Sequence, residues 1–130
     1  MILDSSALMA IADDEPDGPA LLRIAASSAT PLRMSAATWV EVGIVADARS
    51  ARHGERIDGI LAALAVEVVP VSARQAQLAR AAYRRYGRGS DSRARLNFGD
   101  CFAYALATEA AESLLYLGDD FGHTDVLAAR

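Results

Sequence analysis

Short, nearly continuous apolar runs alternate along the chain with longer segments in which apolar residues recur at helical spacing. The apolar runs lie at residues 1–3, 32–34, 66–71 and 113–117. The helical segments lie at residues 5–12, 20–26, 35–52, 57–64, 72–86 and 97–106. Strands with apolar residues at successive positions are typically buried on both faces. The alternation therefore predicts an α/β fold with a parallel sheet that helices cover on both faces.

Two polar segments and one glycine mark expected boundaries between the predicted helices and strands. Residues 13–19 combine acidic residues with two prolines and a glycine, and residues 87–96 form a polar loop that leads into the last long helix. Gly54 is predicted to interrupt the helical region that Ser35 can cap at its start. Because no internal repeat or second compositional region is visible, residues 1–130 are predicted to form a single domain.

Composition narrows the possible classes of protein. The 130 residues, 52% of them hydrophobic, suffice for one sizeable core. No apolar run reaches the roughly 18 residues that cross a bilayer. No signal peptide pattern is visible either, so we expect a cytoplasmic protein without a membrane partner. The net charge of −4 argues against a broad basic surface that binds nucleic acid without specificity. The single cysteine, Cys101, excludes an intramolecular disulfide and a cysteine-based zinc site.

Acidic side chains follow two of the predicted strands and lie on two of the predicted helices. Asp4 follows the first strand, and the pair Asp119 and Asp120 follows the last. Asp100 lies in the first turn of the helix before that last strand, and Glu41 lies on the helix after the second strand. Because sites in open α/β sheets form at the carboxyl ends of the strands, these acids are expected to meet in one pocket.

A pocket that gathers several carboxylates indicates a bound divalent cation. Carboxylates in a medium of low dielectric repel one another, and a cation removes that penalty. Mg²⁺ and Mn²⁺ prefer oxygen ligands and are often held by a few carboxylates, water and substrate phosphates. Such ions activate water and offset the charge of a phosphodiester. The acids therefore favour a metal-dependent hydrolase of nucleic acid.

Each acid also has a purely structural interpretation. Asp4 could cap the first helix, and Asn97 with Asp100 resembles a capping box that has Asp in place of Glu. The acidic pair after the last strand could cap a turn, and Glu41 could be a solvated helix residue. Taken one at a time, the structural interpretations are the stronger ones. The joint placement at one edge of the predicted sheet favours a site.

Four motifs together carry a resemblance to a known family. They are Ile2-Leu3-Asp4-Ser5-Ser6-Ala7-Leu8, Trp39-Val40-Glu41, Leu96-Asn97-Phe98-Gly99-Asp100-Cys101-Phe102-Ala103-Tyr104-Ala105-Leu106-Ala107 and Leu114-Leu115-Tyr116-Leu117-Gly118-Asp119-Asp120-Phe121. The pattern resembles the PIN-domain ribonucleases, and among them the VapC-type toxins of bacterial toxin–antitoxin pairs. The resemblance spans essentially the whole chain, and the segment around Asp100 is its most specific part.

The resemblance implies a fold, an activity and partners. The fold would be a single PIN domain, a three-layer α/β/α sandwich with a central parallel sheet. The activity would be that of an endoribonuclease that needs Mg²⁺, with Mn²⁺ as a substitute, and that hydrolyses RNA phosphodiester bonds with a metal-activated water. The partners would be the RNA substrate, a cognate VapB-type antitoxin that inhibits the toxin, and a second copy of the chain in a homodimer.

The resemblance also assigns roles by position in the motifs. Asp4, Glu41 and Asp100 match the catalytic acids of the family, and Asp4 and Asp100 match its direct metal ligands. Ser6 matches a supporting hydroxyl that orients Asp4 or a metal-bound water.

A fourth acid is expected immediately after the last strand. Family members vary just before the Asp-Phe pair, so either Asp119 or Asp120 can supply the carboxylate. We favour Asp119 for the catalytic site and Asp120 for a supporting cap.

Arginines and aromatic residues surround the polar loop before the Asp100 helix. The arginines are Arg84, Arg85, Arg88, Arg93 and Arg95. Since arginine suits bidentate phosphate contacts, they are candidates for binding RNA, and a solvated loop is an equal alternative. Phe98 could stack on an unpaired base, whereas helical spacing predicts that Tyr83 packs in the core.

Two other classes of function compete with a nuclease. A phosphoryl-handling α/β domain, such as a receiver domain or a haloacid-dehalogenase-like phosphatase, also gathers acids around Mg²⁺. Such domains normally need a lysine, and the sequence contains no lysine. A catalytically inactive partner-binding module would not be expected to retain the acid set.

Overall fold

Four strands and six α-helices make up the part of the chain that the structure, a computed structural model, describes, which is residues 1–129. The strands are β1 (Ile2–Leu3), β2 (Arg33–Ser35), β3 (Glu67–Val69) and β4 (Leu114–Leu115). The helices are α1 (Ser5–Ala12), α2 (Gly18–Ala26), α3 (Ala36–Arg49), α4 (Ala51–Ala63), α5 (Ala73–Tyr86) and α6 (Asp100–Ala110), and a short 3-10 helix spans Asp120–His123.

The four strands form one parallel sheet in the order β3-β2-β1-β4. Ile2 lies opposite Arg33 on one side and Leu114 on the other, so β1 has a partner on both sides. Since parallel strands all end at the same edge of the sheet, the residues that follow β1, β2 and β4 leave it close together. The predicted parallel α/β sheet is confirmed.

Alternate side chains of the central strands enter two separate hydrophobic cores. Leu3 and Leu115 pack with residues of α1, α2, α3 and α4 in one core. Ile2 and Leu114 pack with residues of α5 and α6 in the other. Successive side chains of a strand point to opposite faces, so the two cores lie on opposite faces of the sheet. This arrangement is the expected three-layer α/β/α sandwich.

The richest β-branched run gives a shorter and more exposed strand than its composition suggests. Only Glu67–Val69 pairs, and β3 lies at an edge of the sheet, where the side chain of Val68 is 40% exposed. Pro70 follows directly, and proline has no N–H to continue the ladder of hydrogen bonds. High β-propensity therefore marked the position of the strand correctly but overstated its length.

The predicted helix break at Gly54 is wrong. The break lies at Ser50, whose backbone is extended and whose hydroxyl accepts a hydrogen bond of 3.0 Å from the N–H of His53. Gly54 is buried inside α4, and an added Cβ there would collide with the Asp47 carboxylate of α3. This glycine therefore permits the close packing of two helices rather than ending one.

None of the helices within residues 1–129 combines the length and apolar character that crossing a bilayer requires. After the 3-10 helix the chain returns to the sheet, where the N–H of Leu114 donates to the carbonyl of Leu127 at 2.7 Å. Ala128 forms an isolated parallel bridge with Leu114. The segment after the 3-10 helix thus extends the sheet beyond β4.

A candidate active site at the carboxyl edge of the sheet

Asp4 follows β1 directly and is almost completely buried, with 2% of its surface exposed. Its Oδ2 accepts hydrogen bonds from the hydroxyl and the N–H of Ser6, at 2.6 and 3.0 Å. The Ser6 hydroxyl oxygen in turn accepts a hydrogen bond of 3.0 Å from the N–H of Leu117. Ser6 therefore ties the carboxyl ends of β1 and β4 together and fixes the orientation of Asp4, which also caps α1.

Asp100 lies at the start of α6 in a reciprocal pair of hydrogen bonds. The N–H of Asn97 donates to Asp100 Oδ2, and the N–H of Asp100 donates to Asn97 Oδ1, each at 2.8 Å. This is the capping box expected from the sequence. It orients the half-buried carboxylate through the backbone of four consecutive residues, without a contribution from distant parts of the fold.

Glu41 reaches the same region from the second turn of α3. Its half-buried carboxylate lies against Gly99, the residue that precedes α6. A Cβ added at Gly99 would come within 2.6 Å of Glu41 Cδ and closer still to both carboxylate oxygens. The backbone of Gly99 has ordinary right-handed angles, so a larger residue here would conflict with the present position of the Glu41 side chain and not with the backbone conformation. Sequence reasoning missed this role, although the glycine stands inside the most specific motif.

The acids at this edge of the sheet shift one another's pKa values. Burial raises the pKa of Asp4 and the charge of Glu41 raises it further, although the Ser6 hydrogen bonds lower it. Burial and the charge of Asp100 raise the pKa of Glu41. Burial raises the pKa of Asp100 to about 6, and the charges of Asp4 and Asp120 add to this while the Asn97 hydrogen bond opposes it. Carboxyl groups in four separate segments thus disfavour one another's ionised forms.

The sequence matches the PIN domain family over residues 1–127. It is 48% identical over 130 residues to Ribonuclease VapC28 of Mycobacterium tuberculosis, and the match covers 99% of this chain and 97% of that protein. It is 47% identical to Ribonuclease VapC of Mycolicibacterium smegmatis over the full length of both. The chain belongs to the VapC ribonucleases of the PIN-domain family. The predicted family is thereby confirmed, and the phosphoryl-handling alternative is set aside.

Solved structures agree with this VapC ribonuclease at the level of the fold. The crystal structure of Mycobacterium tuberculosis VapC20, described as a toxin that cleaves the sarcin–ricin loop, aligns with a TM-score of 0.77 at 17% identity and covers 97% of this chain and 95% of that one. A toxin–antitoxin complex from Klebsiella pneumoniae aligns with a TM-score of 0.73 at 18% identity and covers 99% and 97% of the two chains.

The chemistry of the donor set fits a hard divalent cation. No group of three or more His, Cys, Asp or Glu side chains within residues 1–129 is placed to hold a metal ion as it stands. Mg²⁺ is usually bound through one or two carboxylates, with water and substrate phosphates as its other ligands, so a complete protein cage is not required. Burial raises the pKa of Asp4 and of Asp100, and the neighbouring carboxylates add to the shift, so a bound cation would favour the ionised form of both groups.

The two candidates for the fourth acid differ in their electrostatic effect. Asp120, in the first turn of the 3-10 helix, is the one whose charge raises the pKa of Asp100. Asp119 occupies the N-cap position of that helix and makes no side-chain capping hydrogen bond. The sequence favoured Asp119 for the site, whereas the effect of the Asp120 charge on the pKa of Asp100 favours Asp120.

The predicted arginines are all exposed, and two of them have interactions with named neighbours. The charge of Arg88 lowers the pKa of Asp100, so this guanidinium is close enough to act on the site. Arg85 instead forms an ion pair of 3.1 Å with Asp125 and lies 4.7 Å from the centre of the Tyr86 ring. The other three, Arg84, Arg93 and Arg95, are exposed.

Replacing Gly99 by alanine is expected to lower RNA cleavage by roughly ten- to a hundredfold, because the new Cβ displaces the Glu41 carboxylate. Single-turnover cleavage rates and thermal unfolding would measure the effect on activity and on folding. Gly59→Ala is the matched control, since Gly59 lies within α4 and a Cβ there meets no atom within 4 Å. A Gly99→Ala variant that cleaves at the parental rate would show that the position of Glu41 does not depend on this contact.

Proposed function

We propose that this VapC ribonuclease hydrolyses RNA phosphodiester bonds as an endonuclease that depends on Mg²⁺ or Mn²⁺, and that it is the toxin of a toxin–antitoxin pair. The observation that carries the proposal is the electrostatic coupling of Asp4, Glu41, Asp100 and Asp120 at one edge of the sheet. Apart from the helix caps that Asp4 and Asp100 form, the gathering of four acids from separate segments opposes folding, since their repulsion destabilises the native state. A shared cation and an anionic substrate give the cluster a function.

Asp4 and Asp100 are the residues that would hold the ion. In each, Oδ2 already accepts hydrogen bonds, from Ser6 in one case and from Asn97 in the other, so the carboxylate is oriented before any ligand arrives. Glu41 would contact the ion directly or through water. When bound, a divalent ion lowers the pKa of a coordinated water and offsets the charge of the scissile phosphate.

A cleavage assay tests the function. The chain is purified without an antitoxin, and labelled single-stranded and structured RNAs are incubated with it in Mg²⁺, in Mn²⁺, or in excess EDTA. We expect internal cleavage with either ion and none with EDTA. An Asp100→Asn variant purified in the same way controls for contaminating nucleases. Failure of the parent chain to cut any of these RNAs with either ion would contradict the proposal.

The fourth acid can be assigned by comparing two neighbouring substitutions. Asp120→Asn is expected to lower the cleavage rate about tenfold, because Asp120 is the acid of the pair whose charge acts on Asp100. Asp119→Asn should stay within about twofold of the parent. Both residues are exposed, so both variants should fold. A larger loss in Asp119→Asn would restore the original assignment from sequence.

A homodimer and an antitoxin complex are also proposed. Exposed apolar side chains on α3 support a protein partner, since Trp39, Val40 and Ile44 are 44, 51 and 65% exposed. The fold it shares with a toxin–antitoxin complex from Klebsiella pneumoniae supports an antitoxin. If the α3 surface joins two copies, Ile44→Asp should halve the molar mass measured by light scattering. An unchanged mass would place the dimer contact elsewhere.

A further inference from the structure

Phe98 is the most exposed large hydrophobic side chain within residues 1–129, with 78% of its surface accessible. It does not lie on a loose loop. The reciprocal hydrogen bonds between Asn97 and Asp100 fix the backbone before and after Phe98. Its ring packs edge to face on Phe102, with the ring centres 5.0 Å apart. The fold therefore exposes a large aromatic ring to water on a fixed backbone. Such exposure lowers solubility and does not stabilise the fold, so a binding function would explain it.

The ring forms one wall of an apolar hollow between α5 and α6. The hollow has a volume of about 360 Å³. Its other walls include Ala76, Ala79, Tyr83 and Phe102, with Arg80 as the charged member. Tyr83 is 44% exposed, so the prediction that it packs in the core is wrong. Tyr86, three residues further along α5, is buried instead. Two accessible aromatic rings and a guanidinium thus face a space without an acidic side chain in its lining.

Phe98 connects the hollow to the acid cluster through a short stretch of chain. Phe98 is two residues from Asp100, so their Cα atoms are at most about 7.6 Å apart. Arg88, whose charge acts on Asp100, supplies a second cation nearby. A polynucleotide whose phosphate lies at the acids would therefore bring a neighbouring base to the hollow, and arginine is well suited to its phosphates.

We propose that this hollow binds an unpaired base of the RNA next to the scissile phosphate, with Phe98 as the stacking surface. The inference rests on the proposed ribonuclease function and specifies how that site takes its substrate. Aromatic rings bind bases through their faces with little preference among the four, because every base has a π-face. Phe98 therefore selects unpaired over paired RNA at this position rather than a particular sequence.

Fluorescence of 2-aminopurine tests the proposal without cleavage. A short single-stranded RNA that carries 2-aminopurine is titrated with the chain in EDTA at low salt, so that stacking is read as quenching. The parent should quench the probe, and Phe98→Ala should lose most of the quenching and bind about tenfold more weakly. Phe98→Tyr should retain both properties. Leu127→Ala is the control, since Leu127 is 65% exposed and does not line the hollow.

Kinetics and molar mass separate the possible outcomes. With Mg²⁺, Phe98→Ala should raise KM about tenfold and leave kcat within about threefold. If the parent cleaves RNA and Phe98→Ala matches it in quenching and in KM, the base site is refuted while the ribonuclease function stands. If Phe98→Ala instead halves the molar mass and keeps the quenching, the hollow joins two copies of the chain and the proposal is also refuted. Quenching by a parent that cuts no RNA would support the base site and contradict the ribonuclease function.

Discussion

Asp100→Asn is expected to lower metal-dependent RNA cleavage at least about a hundredfold and to leave the fold intact. Asparagine has the same shape and keeps an oxygen that accepts the hydrogen bond from the N–H of Asn97, so the start of α6 should be preserved. The variant loses only the negative charge that the ion and the other acids experience. Losses of this size are usual when a charged group at a catalytic centre is removed.

Single-turnover cleavage at saturating Mg²⁺ measures this effect, and circular dichroism with thermal unfolding verifies the fold. Asp58→Asn is the matched control, since Asp58 is an exposed acid on α4 outside the cluster. It should cleave at the parental rate. If Asp100→Asn cleaves as fast as Asp58→Asn, the acid cluster is not the catalytic centre.

The metal-free protein is expected to lose stability as the pH rises from about 4 to about 6. In the unfolded chain Asp100 has its ordinary pKa of 3.8, whereas the folded protein raises that pKa to about 6. Between these values the folded state binds more protons than the unfolded state, so the free energy of unfolding falls with rising pH and levels off above pH 6. About two pKa units correspond to roughly 3 kcal/mol, and solvent screening of the half-buried group reduces this to about 1–2 kcal/mol.

Urea unfolding in EDTA at pH 4 and pH 7.5 isolates this contribution when the parent is compared with Asp100→Asn. The variant should be the more stable of the two by about 1–2 kcal/mol at pH 7.5 and should have no such advantage at pH 4. Mg²⁺ should stabilise the parent at pH 7.5 more than the variant. An equal pH dependence in both proteins would mean that burial and the neighbouring charges do not raise the pKa of Asp100 in the folded protein.

The sequence predicted the acids because their positions follow from local rules. A carboxylate directly after a buried strand, such as Asp4, must lie at the carboxyl edge of a parallel sheet. The order of the strands was not predictable, because it depends on which elements pack together. The central place of β1, with β2 and β4 on either side, is what brings the segments that carry Glu41 and Asp120 to the edge of the sheet at which Asp4 lies.

The errors came from residues whose role depends on a distant neighbour. Gly54 looks like a helix breaker, yet it makes room for an acidic side chain of α3, and the unpredicted role of Gly99 beside Glu41 is of the same kind. Tyr83 has the spacing of a core residue, but the helix face on which it lies is only partly covered. Which of Asp119 and Asp120 supplies the fourth acid stays a prediction, and the two substitutions described above would decide it.

The structural and catalytic interpretations of the acids are not alternatives. Asp4 accepts the capping hydrogen bond of α1 and Asp100 completes the capping box of α6, and both belong to the coupled cluster. A cap fixes a carboxylate at the end of a helix in one orientation, which is also what an ion-binding group requires. Weighing one interpretation against the other therefore underestimated these positions.

β1 contributes only Ile2 and Leu3 before the chain reaches Asp4. Because these two side chains enter opposite cores, a one-codon insertion or deletion between them and Asp4 cannot be absorbed by a shift of the strand. Such a change in length would either move Ile2 and Leu3 to the wrong faces of the sheet or move the Asp4 carboxylate away from Ser6 and the other acids. Small in-frame length changes at this point should therefore abolish function as effectively as substitutions of the acids themselves.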